Sequence, residues 1–539
     1  MVQRAIMEDL DKLFNPKSVA VIGATNNPNK WGFSTFLSSI DGFEGSVYPI
    51  NNKQEVVQGH KAFKRVTNVP GEVDLAVFVI PPASVPAVME DCVQKGVKAA
   101  VLITAGFAET GEEGAKLQDK FLEIARRGGI RVVGPNCMGL WSASSKLKAT
   151  MAPMPIHPGP LALVTQGGNV GGSIVRSAIQ RGIGFHRYVS CGSTADIQVE
   201  DYIEHFGQDP EVKVILAYIE GLRDGRRFIE KVKEVTPKKP VIALKPGKSE
   251  ATARAIRSHS GLLCGPDEVY EAAFKKAGII RAETPEELLD IATGFLTQPL
   301  PQGRNVAIIT PGGSYGVICS DHCASNGLNV VKLPEKTIAE FDKIFPPRWS
   351  RGNPVDPAGD RNLVAFLEAT EMILKLDVVD AVIFMGFGGL SNLVSTFLKD
   401  FLPKNSETHE EKRQLPGLFD LDSVIPSLGG FLFQGDHGQK EIQRIVTLAI
   451  ESGEIDAASF YTASGLDLSR VLGLMDTVLA NLVRHWMETY KKPVVPITFG
   501  DEGVYVKLKR GFYYAYSSPQ KAARVLSKLA QYREYLERC

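Results

Sequence analysis

One histidine and one glutamate in this sequence stand where reactive groups could meet. His259 lies in the stretch IRSHSGLLCG, where serines and a glycine leave its imidazole uncrowded, and Glu220 follows the apolar run VILAYI. A carboxylate that accepts the N–H of a histidine fixes the ring tautomer and makes the other nitrogen more nucleophilic. By themselves, a surface histidine and a salt-bridged glutamate remain the simpler interpretations.

A glycine-rich turn adds an anion site to this pair. The stretch LVTQGGNVGG is typical of a strand that runs into a helix, and the free amides of Gly167, Gly168 and Asn169 would face an anion at the helix start. A plain helix cap would serve as well, but the repeated glycines weaken the helix and so favour close approach by a ligand. Phosphoryl transfer depends mostly on positioning and charge neutralisation. The three features together predict a histidine that carries a phosphoryl group.

An internal repeat separates what the fold needs from what the chemistry needs. The segment LALVTQGGNVGGSIVRSAIQRGIG, from Leu161, matches VAIITPGGSYGVICSDHCASNGLN, from Val306, at a constant offset. The second copy has an apolar strand end, DAVIFMGFGG, in place of Glu220, and nothing like SHSG follows its KKPVVPITFG. The glutamate and the histidine are therefore dispensable for the fold, which indicates a function in the first copy.

The elements that must position these residues follow an α/β pattern. The chain has 539 residues, and short Val/Ile-rich runs alternate with helical patterns, which predicts buried parallel sheets. We predict a Rossmann-like domain over residues 1–150, then two flavodoxin-like, doubly wound domains over 157–297 and 304–539. The polar stretch near 400–440 reads as a loop insertion in the last domain.

The first domain has the marks of a ligand crevice. In VAVIGATNNPNKWG a strand runs into a turn and a helix, but the G-x-G-x-x-G pattern of dinucleotide sites is absent. The next strand ends in Lys53 rather than an acid, which suits a phosphate on the ribose, as in NADP or coenzyme A. The missing glycines disfavour NADP. A Rossmann-like domain without a ligand remains an alternative.

Composition narrows the function classes. Sixty-one basic and 61 acidic residues balance, which gives no support to a nucleic-acid or membrane-surface role. The sequence shows no signal peptide, no transmembrane run and no metal-binding Cys-x-x-Cys pair, and its seven scattered cysteines are typical of reduced thiols. We expect a cytoplasmic protein without a metal site of its own.

The order of these motifs resembles the α subunit of ADP-forming acyl-CoA synthetases (acetate–CoA ligases), relatives of the succinyl-CoA synthetase α subunit. The phrases YIEGLRDGRRF, KPVIALKPGKSE, SHSGLLCG, GPNCMG and GNPVDP carry the resemblance, which covers nearly the whole chain. TQGG stands where many relatives have a Ser-Gly pair. The resemblance implies that coenzyme A contacts a set of residues at the strand ends of the first domain: Gly23, Thr25, Lys53, Ile80, Pro81, Ile103, Thr104, Ala105 and Asn136.

The resemblance also implies a reaction and a partner. Acyl-CoA, ADP and phosphate would interconvert with a carboxylic acid, ATP and coenzyme A through an acyl phosphate and phosphorylated His259. No ATP-grasp segment is recognisable here, so we expect ATP/ADP with Mg²⁺ on a separate ATP-grasp β subunit in a hetero-oligomer. Two other functions stay open: a non-catalytic CoA- or acyl-CoA-binding or regulatory protein on the same fold, and an NADP oxidoreductase.

Overall fold

The computed structural model describes residues 10–249 except 153 and 156, residue 252, and residues 266–359, 363–386, 461–462, 465–466, 468–498, 503–508 and 511–539. The chain divides into two compact units, Met1–Ala292 and Thr293–Arg538. His259 and the predicted insertion near 400–440 lie outside the described residues.

The first unit begins with a parallel sheet of five strands in the order β2-β1-β5-β6-β7. A small hairpin of β3 and β4 follows β2. The strands are β1 Ser18–Ile22, β2 Ser46–Ile50, β3 Val56–Val57, β4 His60–Lys61, β5 Leu75–Phe78, β6 Ala99–Leu102 and β7 Arg131–Val133. The helices are α1 Trp31–Ile40, α2 Val85–Lys95 and α3 Glu112–Arg127.

A second sheet of seven strands, β14-β13-β12-β10-β11-β8-β9, completes this unit. Its strands are β8 Gly139–Ser142, β9 Leu147–Thr150, β10 Leu161–Thr165, β11 Phe185–Ser190, β12 Val214–Tyr218, β13 Val241–Leu244 and β14 Ile280–Ala282. Its helices are α4 Gly168–Gln180, α5 Val199–Gln208, α6 Gly225–Lys233 and α7 Asp267–Ala277. The next helix, α8 Pro285–Thr297, begins in this unit and ends in the other.

The edge of this second sheet differs from the sequence-based grouping, which assigned residues 139–150 to the first domain. β8 pairs antiparallel with β11, and β9 pairs with β8, so this hairpin extends the second sheet. Apolar packing on both faces of β8 supplies the reason, because Leu140 and Trp141 are buried and the Trp141 ring stacks on Tyr188 of β11. The predicted domain boundaries themselves remain a prediction.

The other unit has a parallel sheet in the order β16-β15-β17-β20 and two small hairpins, β18-β19 and β21-β22. Its strands are β15 Asn305–Ile309, β16 Asn329–Val330, β17 Ala381–Met385, β18 Tyr461–Thr462, β19 Gly465–Leu466, β20 Val494–Ile497, β21 Val504–Lys507 and β22 Phe512–Ala515. Its helices are α9 Gly313–Ser325, α10 Glu335–Ile344, α11 Leu363–Leu374, α12 Leu468–Tyr490 and α13 Pro519–Leu536.

The apolar runs seen in the sequence form the central strands of these sheets. Every residue of β1, β10 and β17 is buried, as expected for parallel strands covered on both faces. The predicted α/β class is confirmed. Within the described ranges, no helix combines the length and the apolar composition needed to cross a membrane.

Candidate active site

A single cavity of about 1850 Å³ in the first unit reaches the carboxyl ends of strands from both of its sheets. In parallel α/β sheets, ligands bind in the crevice outside the carboxyl ends of the strands. This crevice lies at the topological switch point, where the strand order reverses. Every described residue that the sequence predicted for the site lines this cavity: Gly23, Thr25, Lys53, Ile80, Pro81, Ile103, Thr104, Ala105, Asn136, Gly167, Gly168, Asn169 and Glu220. The predicted CoA crevice and the predicted anion site therefore line one continuous space.

The crevice of the first sheet is built from tightly packed backbone. Gly23 follows β1 with φ of +94°, and a Cβ atom there would collide with the carbonyl oxygen of Val79. Only glycine combines that conformation with that approach. Across the crevice, Thr104 Oγ1 donates to the Ile80 carbonyl at 2.8 Å. The backbone N–H of Asn136 donates to the Thr104 carbonyl at 3.0 Å. These contacts fix the strand ends that would face a ligand.

Cations line the cavity at the first sheet. Lys30, Lys53, Lys64 and Arg65 all lie on its wall. Arg65 is paired with Asp91, whereas Lys53 has no ion pair within the described part of the chain. A charge without a protein partner is available to an anionic ligand, which fits the phosphates of coenzyme A.

The predicted anion site lies where β10 ends and α4 begins. Gly167 precedes the first helical residue with extended backbone, and no described side chain caps this helix start. Thr165 Oγ1 donates to the Gly167 carbonyl at 2.7 Å and so secures the turn. The first amides of α4 are left facing the cavity, where the helix dipole favours a negative charge.

Glu220 lies directly beside that helix start. It follows β12, the neighbour of β10, and is 4% exposed. A Cβ atom added to Gly167 would be 3.3 Å from Glu220 Oε1 and 2.9 Å from Tyr218 Cε1, so a side chain at this position would crowd both groups. Burial and the neighbouring Glu220 raise the pKa of Tyr218 to about 12, so its phenol stays neutral.

The predicted phosphoryl carrier, His259, lies outside the described residues. Two described residues that precede His259 in the chain line the cavity. Pro246 follows β13, and Thr252 comes seven residues before His259. The chain therefore reaches the cavity wall immediately before the histidine segment. The predicted contact between His259 and Glu220 stays a prediction.

The cavity also holds residues whose position the sequence did not predict. Cys137 lines it, but burial raises the pKa of this thiol to about 12, which makes it a poor nucleophile at neutral pH. Met138 packs against Gly168 at the start of α4. Gln166, 4% exposed, reaches the loop that carries Glu220. The quoted motif TQGG contains Gln166, but nothing in the motif alone shows where its side chain points.

Comparison with known proteins agrees with this arrangement. Models of three families match along the chain: a CoA binding domain over residues 17–142, a succinyl-CoA ligase like flavodoxin domain over 158–295, and a Ligase-CoA domain over 306–395. The α subunit of acetate–CoA ligase [ADP-forming] II from Pyrococcus furiosus is 44% identical over 374 residues, which cover 69% of this chain and 81% of the relative. The chain belongs to the family of ADP-forming acetate–CoA ligase α subunits.

Two further comparisons extend the family assignment. Acetate–CoA ligase [ADP-forming] of Methanocaldococcus jannaschii is 42% identical over 65% of this chain, but the match spans only 49% of that longer relative. The solved structure of the dinucleotide forming acetyl-coenzyme A synthetase 1 of Ca. Korarchaeum cryptofilum, in complex with phosphate and ADP, gives a TM-score of 0.71 at 28% identity and covers 98% of both chains. The resemblance stated from the sequence is therefore confirmed.

Proposed function

We propose that this chain is the CoA-binding and phosphoryl-carrying α subunit of an ADP-forming acyl-CoA synthetase. One observation carries the proposal: the predicted CoA crevice, the uncapped amides of residues 167–169 and buried Glu220 line one cavity. Relatives named as acetate–CoA ligase α subunits support an enzyme over the non-catalytic binding protein. The match to a CoA binding domain favours coenzyme A over NADP.

In the first half-reaction, coenzyme A lies along the first sheet with its acylated sulfur towards Asn136. A phosphate oxygen held by the 167–169 amides attacks the thioester carbonyl carbon. The C–S bond breaks, and coenzyme A leaves as a thiol after taking up a proton. The product is an acyl phosphate at the helix start, where the amides and the dipole of α4 stabilise the negative charge.

In the second half-reaction, a nitrogen of His259 attacks phosphorus. The bond between phosphorus and the acyl oxygen breaks, and the carboxylate leaves. Glu220 accepts the N–H of the other ring nitrogen and stabilises the positive charge that develops on the imidazole. The phosphohistidine then passes its phosphoryl group to an oxygen of the ADP β-phosphate, which regenerates the imidazole and forms ATP.

The nucleotide step needs a site that this proposal places on a second polypeptide, an ATP-grasp β subunit with Mg²⁺. The naming of two relatives as α subunits supports a second chain, and the M. jannaschii relative is about twice as long as the part that matches. Mg²⁺ would neutralise the phosphates of the nucleotide there. A cytoplasmic location likewise remains a prediction.

Labelled phosphate tests this function. The purified chain, incubated with labelled phosphate and either acetyl-CoA or a bulkier acyl-CoA, should release coenzyme A and acquire an acid-labile, base-stable label. Adding ADP should yield sustained ATP formation only when the partner subunit is present. A chain that binds coenzyme A but neither releases it from any acyl-CoA nor becomes labelled is the non-catalytic binding protein instead.

A further inference from the structure

Gln166 connects the two halves of the candidate site with an unusual set of hydrogen bonds. Its side-chain oxygen accepts from the amides of Glu220, at 2.5 Å, and Gly221, at 3.1 Å. Its side-chain nitrogen donates to the carbonyl of Gly221 at 2.9 Å. One buried amide therefore satisfies three backbone groups in the loop that carries the glutamate.

The main chain of the same residue makes a fourth connection. The Gln166 amide donates to the carbonyl of Tyr218, the last residue of β12, at 3.1 Å. Gln166 is also the residue immediately before Gly167, which begins the anion site. Gln166 thus links the turn that presents the 167–169 amides to the loop that presents Glu220, next to the pairing of β10 with β12.

We propose that Gln166 is a positioning residue of the phosphoryl-transfer site, and this inference rests on the proposed function. Its amide holds the Glu220 backbone so that the carboxylate keeps its spacing from the anion site. The short approach between Gly167 and Glu220 Oε1 depends on that backbone position. A catalytic group must be held within about 0.5 Å of its productive position, which requires supporting residues of this kind.

The chemistry of the side chain explains why glutamine is needed. The two amides of residues 220 and 221 require an acceptor, and the carbonyl of Gly221 requires a donor. A carboxamide offers both at the end of a side chain of this length, whereas a carboxylate offers only acceptors and a thioether offers neither usefully. Buried backbone groups left without partners would force the loop to rearrange.

The internal repeat supports a role in the chemistry rather than in the fold. Val164 pairs with Ala217 in the first copy, and Ile309 pairs with Phe384 in the second. Counting onward from these pairs, Pro311 stands in place of Gln166 and Phe387 in place of Glu220. Proline has neither an amide hydrogen nor a polar side chain. We call the Gln166 side chain, with its three hydrogen bonds to the backbone of residues 220 and 221, the clamp. The clamp and the Glu220 carboxylate are therefore present together in one copy, and neither residue type stands at the matching position of the other.

A double-mutant cycle tests the inference in the complete chain. Gln166→Met keeps the size of the side chain and removes its three hydrogen bonds, and Glu220→Gln removes the carboxylate. The rate of protein labelling from acyl-CoA and phosphate should fall by at least roughly tenfold in Gln166→Met, because three buried groups lose their partner. In the Glu220→Gln background the same change should cost less than about twofold, because Gln166 acts through Glu220.

Two further variants guard the result against a general folding defect. Gln166→Glu keeps the acceptor for both amides and should lose less labelling rate than Gln166→Met, with the same dependence on Glu220. Asn353→Leu removes a comparable clamp in the other unit, where the Asn353 side chain bonds the backbone of Ile308, Val306 and Val331, and should leave the labelling rate unchanged. Coenzyme A affinity, measured by calorimetry, should stay within about twofold in both Gln166 variants because the CoA crevice lies on the other sheet.

The outcomes separate this inference from the proposed function. If the wild-type chain is not labelled from any acyl-CoA, the proposed function fails. If the wild type is labelled but the losses in Gln166→Met and Glu220→Gln multiply, or if Gln166→Met is labelled at the wild-type rate, Gln166 is only a structural residue. If Gln166→Met no longer binds coenzyme A, the cycle is read with Gln166→Glu, to which the same two criteria apply.

Discussion

The chain contains the same strand–turn–helix unit twice, once at β10–α4 and once at β15–α9. In both, a threonine hydroxyl secures the turn: Thr165 Oγ1 donates to the Gly167 carbonyl, and Thr310 Oγ1 donates to the Gly312 carbonyl. Each helix also has a glycine packed against the methyl group of that threonine. The residues that the two copies share are those that bring the helix close to the strand.

The residues around the helix start differ. In the first copy, the start of α4 opens to the cavity beside Glu220. In the second, a Cβ atom added to Gly313 would lie only 2.8 Å from Asp356 Oδ2, so a carboxylate of the protein itself occupies the position beside the helix start. The negative charge of Asp356 beside the first helical residue interacts favourably with the dipole of α9.

This difference separates structural from chemical requirements. The fold retains threonine and closely packed glycines in both copies, whereas Gln166 and the buried Glu220 belong to the first copy, and Pro311 and Phe387 stand at the matching positions of the second. We infer that the first copy handles phosphate and that the second serves as scaffold. Two substitutions can break or sharpen this comparison, and a third tests the CoA crevice that adjoins the first copy.

Loss of the Glu220 charge should have the largest effect. Glu220→Gln keeps the shape of the side chain but removes the charge that orients and stabilises the histidine. Protein labelling from acyl-CoA and phosphate should slow by roughly 10- to 100-fold, which corresponds to a charged hydrogen bond of about 1.5–3 kcal/mol. Quench-flow labelling measures this rate. Labelling at the wild-type rate would show that Glu220 takes no part in phosphoryl transfer. The main chemical difference proposed between the two copies would then be wrong.

Loss of Lys53, which has no ion pair within the described residues, should have an intermediate effect. Lys53→Ala should weaken coenzyme A binding by about 1–3 kcal/mol, the scale of a charge-assisted contact, and should affect dephospho-CoA less if the contact is the 3′-phosphate. Lys61→Ala is the matched control, because Lys61 lies close in sequence but outside the cavity lining. Equal affinities of the two variants by calorimetry would show that Lys53 does not bind coenzyme A.

The smallest effect is expected in the second copy. Asp356→Asn keeps the acceptor for the Ala358 amide, 2.8 Å away, but removes the negative charge beside α9. The free energy of unfolding, measured by chemical denaturation, should fall by about 0.3–1 kcal/mol. Protein labelling should not change. A changed labelling rate would mean that the second copy takes part in phosphate handling.

Much of this architecture could be predicted because strand-end residues of a parallel sheet meet at one edge. Runs such as LALVT and VILAY identified the strands, so Gly167 and Glu220 could be expected to lie near each other without a structure. Two features depended on information that the sequence order does not contain. The pairing of β8 with β11 and the reach of the Gln166 side chain are both set by contacts between distant segments.

The most direct test of the central claim compares the wild-type chain with His259→Ala. Both proteins are incubated with acyl-CoA and labelled phosphate, and coenzyme A binding is measured in parallel as a control for folding. The wild type should acquire an acid-labile, base-stable label, and His259→Ala should bind coenzyme A normally but remain unlabelled. Full labelling of His259→Ala would place the phosphoryl group on another residue and contradict the account.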